Sequence, residues 1–484
     1  MEASLVRRPV RRRLEDSRRR AATTPGRLRL LAVSIAVTAI SLMLIGSGAL
    51  VAALITVNDM QGQTMPAIVG MERVHALLSD ADRSAAQAYL LGANNTTNSQ
   101  LVFDAESAAT NLDVLGRLNP DAVQLRYQAD IAAASHELQR STTLGVGGDQ
   151  VNQRLVSIAS SVANYTTLIQ TAMQSLPDFV GGTIYLEAAS NLMHGPGGIL
   201  AQITSAEGLY TAGMDRDNLA LRVTVGVLGV YAVVAIVLLV LLLRTQRFVS
   251  TRFRRRRNPR LLLATMLLLV VAAGSGVGAL QAAASVRFAE QSSNARLLAL
   301  WTARSLAYDA DGQAAMLLVS RNNAHNQAFE ADSNHLVDRQ LTDQLVQHAA
   351  DGQVQFNGLL ADQVRSAGTP GQREAAMNAL RAYQQYQEAS ATARAAIMAG
   401  GPRVVQPGEI NAVQVAFDKV DWNFSVSIQS LQSQSDTTMA RAQLALTLTA
   451  ILEVLTLGVA ALTFWGVQPR IREYTVGESR LSAA

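Results

Sequence analysis

The chain has 484 residues, of which 49% are hydrophobic and only 16% are charged. A soluble protein of this size carries about 25% charged residues, so the composition argues against a wholly soluble protein and for membrane segments. The chain has no cysteine, which excludes disulfides and thiol chemistry, and its net charge is only +4.

Four segments are apolar for long enough to cross a bilayer, which takes about 20 residues. Only the fourth contains an ionisable residue, Glu453. A cleaved signal peptide is the alternative for the first segment, but its apolar stretch is about twice the usual length of such a peptide, which favours an uncleaved anchor. The predicted spans are 30–57, 223–243, 261–286 and 442–467.

Arginines flank these spans unevenly. Ten precede the first span, eight lie between the second and third spans, and three follow the fourth. Because positive charge resists translocation, we expect both termini in the cytoplasm of a plasma-membrane protein. The predicted cytoplasmic segments are 1–29, 244–260 and 468–484, and the predicted extracytoplasmic domains are 58–222 and 287–441.

The basic link between the second and third spans contains the run Arg254, Arg255, Arg256 and Arg257. Such a run is able to bind nucleic acid. Next to membrane spans, topology and contact with anionic lipids explain it better. We therefore expect membrane lipids or a cytoplasmic partner at this run, and no nucleic acid.

The order of span, long loop and span occurs twice, which suggests a tandem repeat. The sequence DADRSAA at 80–86 matches DADGQAA at 309–315 in five of seven positions, at an offset of 229 residues. A match of this length is weak alone, but the repeated order of the spans supports it. The chain is therefore predicted to be an internal duplication.

Both loops show the apolar spacing of packed helices, with seams that alternate three and four residues apart. Such seams are typical of four-helix bundles. We predict an all-α protein with two extracytoplasmic bundles, and second-loop helices at 287–321, 324–366, 371–399 and 409–441. The clearest seam of the first loop is Val151, Leu155, Ile158, Val162, Tyr165, Ile169 and Ala172.

The duplicated motif provides the candidate binding residues, Asp80, Asp82, Asp309 and Asp311. Each flanks a core alanine, so we expect all four on the rim of a bundle. There they are either a pseudo-symmetric site for a ligand amine or a basic partner, or solvated helix charges kept from the duplication. Arg73, Arg83 and Arg304 are candidates to bind a ligand carboxylate through bidentate hydrogen bonds.

Glu453 lies near the middle of the fourth span, where a charged carboxylate costs several kcal/mol. It is therefore expected to be protonated or paired within the bundle, with Tyr231 of the second span as a candidate hydrogen-bond partner. Its role is either intramembrane coupling or simple attachment of two helices.

No catalytic motif occurs in the chain, and the six histidines are scattered without metal-ligand spacing. The predicted cytoplasmic segments are too short to form a kinase or cyclase core. We therefore predict no enzyme, no cofactor and no metal, and expect the output to pass to a separate protein.

A four-helix bundle between two spans resembles the sensor modules of bacterial chemoreceptors and sensor kinases. The full layout, with its DADxxAA repeat, resembles the GlnX-like tetraspanning membrane proteins of actinobacteria. Those proteins are associated with a glutamine-binding lipoprotein and a soluble kinase, protein kinase G. The resemblance implies a receptor or adaptor that relays extracellular glutamate, aspartate or glutamine, through a solute-binding lipoprotein, to a cytoplasmic Ser/Thr kinase.

Two other functions remain open from the sequence. The chain is alternatively a transporter or channel component that uses Glu453 as a proton or ion site. It is otherwise a cell-envelope scaffold whose loops hold other proteins.

Overall fold

A computed structural model describes residues 24–97, 120–253, 259–288, 294–398 and 407–481. Within these ranges all regular structure is helical and no strand occurs, which confirms the predicted all-α class. A π-helical turn, Met60–Thr64, separates the first two helices. The helices are α1 Thr24–Asp59, α2 Met65–Thr97, α3 Pro120–Leu144, α4 Gly148–Gln174, α5 Phe179–His194, α6 Ile199–Phe253, α7 Pro259–Phe288, α8 Ala295–Ser320, α9 Asn323–Leu336, α10 Asp343–Ala350, α11 Leu359–Arg365, α12 Pro370–Met398, α13 Pro407–Val454 and α14 Thr456–Leu481.

The described residues divide into two compact units. The membrane unit comprises the described parts of Met1–Asp59, Arg216–Arg287 and Thr438–Ala484. The loop unit comprises the described parts of Met60–Asp215 and Phe288–Thr437, so both long loops fold together in it.

The membrane unit contains helices apolar enough to cross a membrane at four places, which overlap the four predicted spans. These helices are apolar on the side that packs inward, as at Ile35 and Leu42, and equally apolar on the exposed side, as at Val33 and Leu44. A helix that is apolar all round fits a lipid environment. The candidate spans lie in Arg29–Gly92, Gly229–Thr251, Pro259–Ala282 and Asn411–Pro469.

The loop unit has two cores, one for each loop, and α2 and α8 pack side by side between them. Ala76 of α2 belongs to the core of the second loop, whereas Ala315 and Met316 of α8 belong to the core of the first. The predicted seam of α4 is buried at every position. Because α2 and α8 each contribute to both cores, they are covered on more than one face.

The predicted second-loop helix at 324–366 is wrong, since that stretch forms the shorter helices α9, α10 and α11. Local chemistry explains the breaks. Thr342 caps α10 by accepting a hydrogen bond from the Leu345 amide. Gly358 has φ 113°, and a side chain there would collide with the carbonyl oxygen of Leu336. Asp338 accepts two hydrogen bonds from Asn357 across the resulting loop.

Candidate functional site: a buried charge cluster in the loop unit

The four aspartates of the repeated motif do not lie on a rim. Asp80, Asp82, Asp309 and Asp311 are 5%, 2%, 6% and 2% exposed. The expected rim position is therefore wrong for all four, and so is the alternative of solvated charges. The reason is that α2 and α8 are central helices, so the polar residues between their apolar positions also face neighbouring helices.

Arg83 is the centre of this charge cluster and is fully buried. Its Nε and Nη2 donate to Asp80 Oδ1 at 3.0 and 2.6 Å, and its Nη1 donates to Asp311 Oδ2 at 3.4 Å. The guanidinium also lies 4.7 Å from the ring centroid of Phe417 on α13. Although burial opposes its charge, Asp80 and Asp311 keep the pKa of Arg83 above its ordinary value. One side chain of α2 thereby joins aspartates from both loops.

Asp80 accepts from a second arginine, Arg126 on α3, whose Nη2 lies 2.9 Å from Oδ2. Although burial opposes ionisation, the charges of Arg83 and Arg126 hold the pKa of Asp80 below its ordinary value. Burial and the charge of Asp80 instead raise the pKa of nearby Asp130 to about 7. Asp80 is therefore an ionised anchor, while Asp130 is able to take up a proton near neutral pH.

Asp82 faces the first-loop core and accepts from two side chains. The Tyr165 hydroxyl of α4 donates at 2.9 Å, and His194 Nε2, near the end of α5, lies 3.1 Å from its other oxygen. Burial opposes a charged imidazole, but the hydrogen bond and the charge of Asp82 raise the pKa of His194 to about 9. His194 and Asp82 therefore form an ion pair at neutral pH.

Asp309 is paired with His75 of α2, whose Nε2 lies 3.2 Å from Oδ2. Burial disfavours both charged forms, but their mutual hydrogen bond and charge raise the pKa of His75 and lower that of Asp309. Donor atoms of Glu72, His75 and Glu207 lie within 4.8 Å of one another beside this pair. Burial and the charge of Glu72 raise the pKa of Glu207 to about 8.

These contacts make the charge balance of the core depend on histidine protonation. Arg83 and Arg126 pair with Asp80 and Asp311. Among the described residues, the cationic groups in direct contact with Asp82 and Asp309 are histidines. Buried charges require partners. The cluster is thus suited to respond to a change in helix position or proton uptake, because either changes which charges are neutralised.

Two of the three candidate ligand arginines, Arg73 and Arg304, lie close to the Trp301 ring, whereas the third, Arg83, is fully buried. Arg73 is exposed, with its guanidinium 5.7 Å from the Trp301 ring centroid, and Arg304 lies 5.4 Å from that centroid. Arg304 Nε donates to Asp421 at 2.7 Å. A ligand carboxylate would therefore compete with Glu137, whose Oε2 lies 4.0 Å from Arg73 Nη1, and would have to displace Asp421 from Arg304.

An open cleft of about 540 Å³ lies between α10 and α12 of the second loop. Its lining is polar and carries charged groups of both signs. The charged lining residues are Asp343, Asp351, Arg381 and Glu388.

In the membrane unit, Glu453 meets residues of the other three spans. Ser275 Oγ of α7 donates to Glu453 Oε1 at 3.1 Å, and Tyr231 of α6 lies beside the carboxyl. A Cβ on Gly46 of α1 would lie 2.7 Å from the carboxyl carbon, so the glycine provides the space for it. The helix is interrupted at Leu455, two residues later.

Sequence reasoning missed the histidines of the cluster and Arg126. The predicted lipid- or partner-contact residues lie outside the described part of the chain; they are Arg254, Arg255, Arg256 and Arg257. One signal was present, because Glu72 and His75 have the Glu-x-x-His spacing found in metal sites of helical bundles. For His194 and Arg126 no local pattern exists, since their partner aspartates are more than 40 residues away.

These features define a multi-pass helical membrane protein with a polar, charge-paired helical unit. A family model described as an actinobacterial sensor domain matches residues 56–217, the region of the first loop. Together with the four apolar helices, this match fits an actinobacterial membrane sensor. Neither the curated proteins nor the solved structures compared with the chain gave a match.

Proposed function

We propose that this protein is a transmembrane receptor or adaptor that relays extracellular amino-acid availability to a cytoplasmic Ser/Thr kinase. The signal is glutamate, aspartate or glutamine, delivered by a solute-binding lipoprotein. Both termini and the basic link lie in the cytoplasm, and both loops lie outside the cell. The amino acids and both partners come from the resemblance to the GlnX-like proteins.

The observation that carries the proposal is the sensor-domain match at residues 56–217, between the first and second spans. The helix that leaves this region, α6, continues without interruption from Ile199 to Phe253. At the N-terminal end of the sensor region, the π-helical turn connects α1 to α2. A displacement of either helix in the sensor region is therefore transmitted along a continuous helical path.

The charge cluster supplies the discrete states that such a relay needs. Two buried pairs join α2 to α8, Arg83 with Asp311 and His75 with Asp309, so movement between these helices would change these charge contacts. A ligand-loaded lipoprotein shifts this equilibrium only by its difference in affinity for the two states. Contact between the partner and Arg73, at the exposed edge of the Arg73–Trp301 pair, fits this role.

The proposal is tested with a photo-crosslinking amino acid at Ser250, an exposed position near the C-terminal end of α6. Cells carrying the full-length protein are illuminated with and without external glutamate, aspartate or glutamine. We expect a cross-link to a Ser/Thr kinase whose yield changes with the amino acid. The matched control carries the probe at Val233, on the exposed apolar face of the same helix, and should yield no kinase.

Two further arms separate direct from mediated sensing. Arg381→Ala removes the only cationic side chain among the residues that line the cleft, so it should abolish the response only if the free amino acid binds there. Removal of the external lipoprotein should abolish the response if sensing is mediated. No kinase at Ser250 in any condition, or a yield indifferent to all three amino acids, would overturn the proposal.

A transporter or channel component is the second candidate, because Glu453 is buried beside an interruption of its own span. Interrupted helices at mid-membrane are typical of transport sites. Glu453→Gln should abolish amino-acid uptake with the protein intact if this alternative holds. Under the receptor proposal, uptake is unchanged.

A further inference from the structure

Three side chains of the loop unit bring metal-ligand atoms together. Glu72 and His75 lie one turn apart on α2, and Glu207 lies on α6; one donor atom from each lies within 4.8 Å of the others. Glu-x-x-His on one helix with a glutamate from another is the arrangement by which helical bundles hold transition-metal ions. This spacing is independent of the motif aspartates.

The surroundings of His75 are those of a metal ligand. Its Nε2 is bonded to Asp309 Oδ2 at 3.2 Å, which leaves Nδ1 as the ring nitrogen available to an ion. Metal-ligating histidines almost always donate their other ring N–H to a carboxylate or carbonyl, which fixes the tautomer and the ring orientation. Asp309 is therefore positioned to orient the His75 ring for metal binding.

Among the described residues, neither glutamate of the site forms a salt bridge with a cationic side chain. Glu72 is buried, and one of its oxygens accepts from Thr302 Oγ1 at 3.0 Å. Glu207 Oε1 is buried and has no hydrogen-bond partner in the part of the chain that the structure describes. Two carboxylates this close to each other are unfavourable unless a cation or protons neutralise them. A protonated His75 provides one positive charge, which Asp309 already uses, and Nδ1 must release its proton before it binds an ion.

We propose that Glu72, His75 and Glu207 bind one divalent transition-metal ion of the zinc class. Imidazole and carboxylate together suit Zn²⁺ and its first-row neighbours rather than Ca²⁺ or Mg²⁺, which prefer oxygen ligands. Three protein ligands leave a position for water or an external donor. The ion joins α2, which follows the first span, to α6, which continues into the second, so it sets how these two helices move together.

Zn²⁺ titration of the full-length protein in nanodiscs, after chelator treatment, tests the site by calorimetry. Co²⁺ serves as the spectroscopic probe. We expect one ion per chain, a visible Co²⁺ absorption band and a higher melting temperature with Zn²⁺. Glu207→Gln and His75→Gln should abolish this binding, and Asp309→Asn should weaken it about 10- to 100-fold.

The matched controls are Glu374→Gln and His348→Gln, which change exposed residues on α12 and α10 and should bind Zn²⁺ like the wild type. Glu207→Gln conserves shape at a partly exposed position, so it tests the site even where His75→Gln impairs folding. The proposal is overturned if the wild type binds neither ion, or if binding survives both ligand substitutions. The metal titration and the kinase cross-link are independent measurements. A failure of the metal site is therefore distinguishable from a failure of the proposed receptor function.

Discussion

Arg83 of α2 lies against Gly312 of α8, the residue that follows the second aspartate of the same motif in the other loop. A Cβ on Gly312 would lie 3.7 Å from Cα of Arg83, so the two helices approach closely at this point. Arg83 pairs with Asp80 of its own motif and with Asp311 of the other. Arg83, which belongs to the first copy of the motif, therefore bridges one aspartate from each copy.

Arg83→Met should destabilise the loop unit by about 3–5 kcal/mol, because it leaves Asp80 and Asp311 buried without their shared counter-charge. Arg83→Lys should also be destabilising, since an ammonium cannot reproduce the forked contact. Thermal unfolding of the full-length protein in detergent measures the effect. Arg154→Met, at an exposed position on α4, is the control and should have no measurable effect. Equal melting temperatures for Arg83→Met and the control would contradict the role of the cluster.

Gly312→Ala should be tolerated and even stabilising, by up to about 1 kcal/mol, because alanine has the higher helix propensity. The structure has room for this methyl group, since the nearest atoms would be at ordinary contact distance. The contrasting substitution is Gly358→Ala, where φ is 113° and the methyl would meet the Leu336 carbonyl. Melting temperatures of the two variants should move in opposite directions. A large loss at Gly312 would mean that α2 and α8 are closer than described.

The His194–Asp82 pair should make stability depend on pH. The pKa of His194 is raised from 6.5 to about 9, so the pair contributes fully below pH 6.5 and its contribution is lost as the pH rises through 9. The contribution is at most about 3 kcal/mol. The difference in melting temperature between wild type and His194→Gln should therefore be large at pH 6 and small at pH 10. A constant difference would contradict it. The charged or titratable groups around His194 are Asp82, Asp309, Asp332 and His325.

The sequence was sufficient for features that depend on one strong pattern. Hydrocarbon-length apolar segments predicted the spans, and the seam of α4 predicted its buried face at all seven positions. A seam, however, identifies only one face of a helix. Because α2 and α8 are covered on several faces, the same reasoning placed Asp82 and Asp311 on a rim.

The charge cluster could not be predicted for a related reason. Arg126 and His194 become partners of Asp80 and Asp82 only after α3 and the end of α5 have packed. The break between α10 and α11 was missed because Gly352 and Gly358 are isolated glycines, whose positive φ values only the tertiary structure determines. The spacing of Glu72 and His75 was readable, but its third member, Glu207, is distant in sequence.

The proposed topology is testable by cysteine labelling, since the chain has no native cysteine. Gln150→Cys and Gln355→Cys lie at exposed positions of the two loops, and Ser250→Cys lies near the end of α6. A membrane-impermeant maleimide should label the two loop variants in intact cells and Ser250→Cys only after permeabilisation. Labelling of Gln355→Cys only after permeabilisation would place the second loop inside and exclude the proposed sensing function.

Glu453 packs closely against Gly46 of the first span in the membrane unit. Gly46→Ala should lower the melting temperature of the detergent-solubilised protein, because the new Cβ would lie 2.7 Å from the carboxyl carbon and 2.8 Å from Oε2. Overpacking of this kind costs about 1–3 kcal/mol. Gly48→Ala is the matched control, since nothing lies within 4 Å of its added Cβ.

The double substitution Gly46→Ala with Glu453→Ala separates packing from polarity. Removal of the carboxyl frees the space that the new methyl needs, so the double variant should lose less stability than the sum of the two single variants. Glu453→Gln should retain an acceptor for Ser275 and keep most of the stability. If the effects of Gly46→Ala and Glu453→Ala simply add, the glycine does not accommodate the carboxyl, and Glu453 has no packing role against the first span.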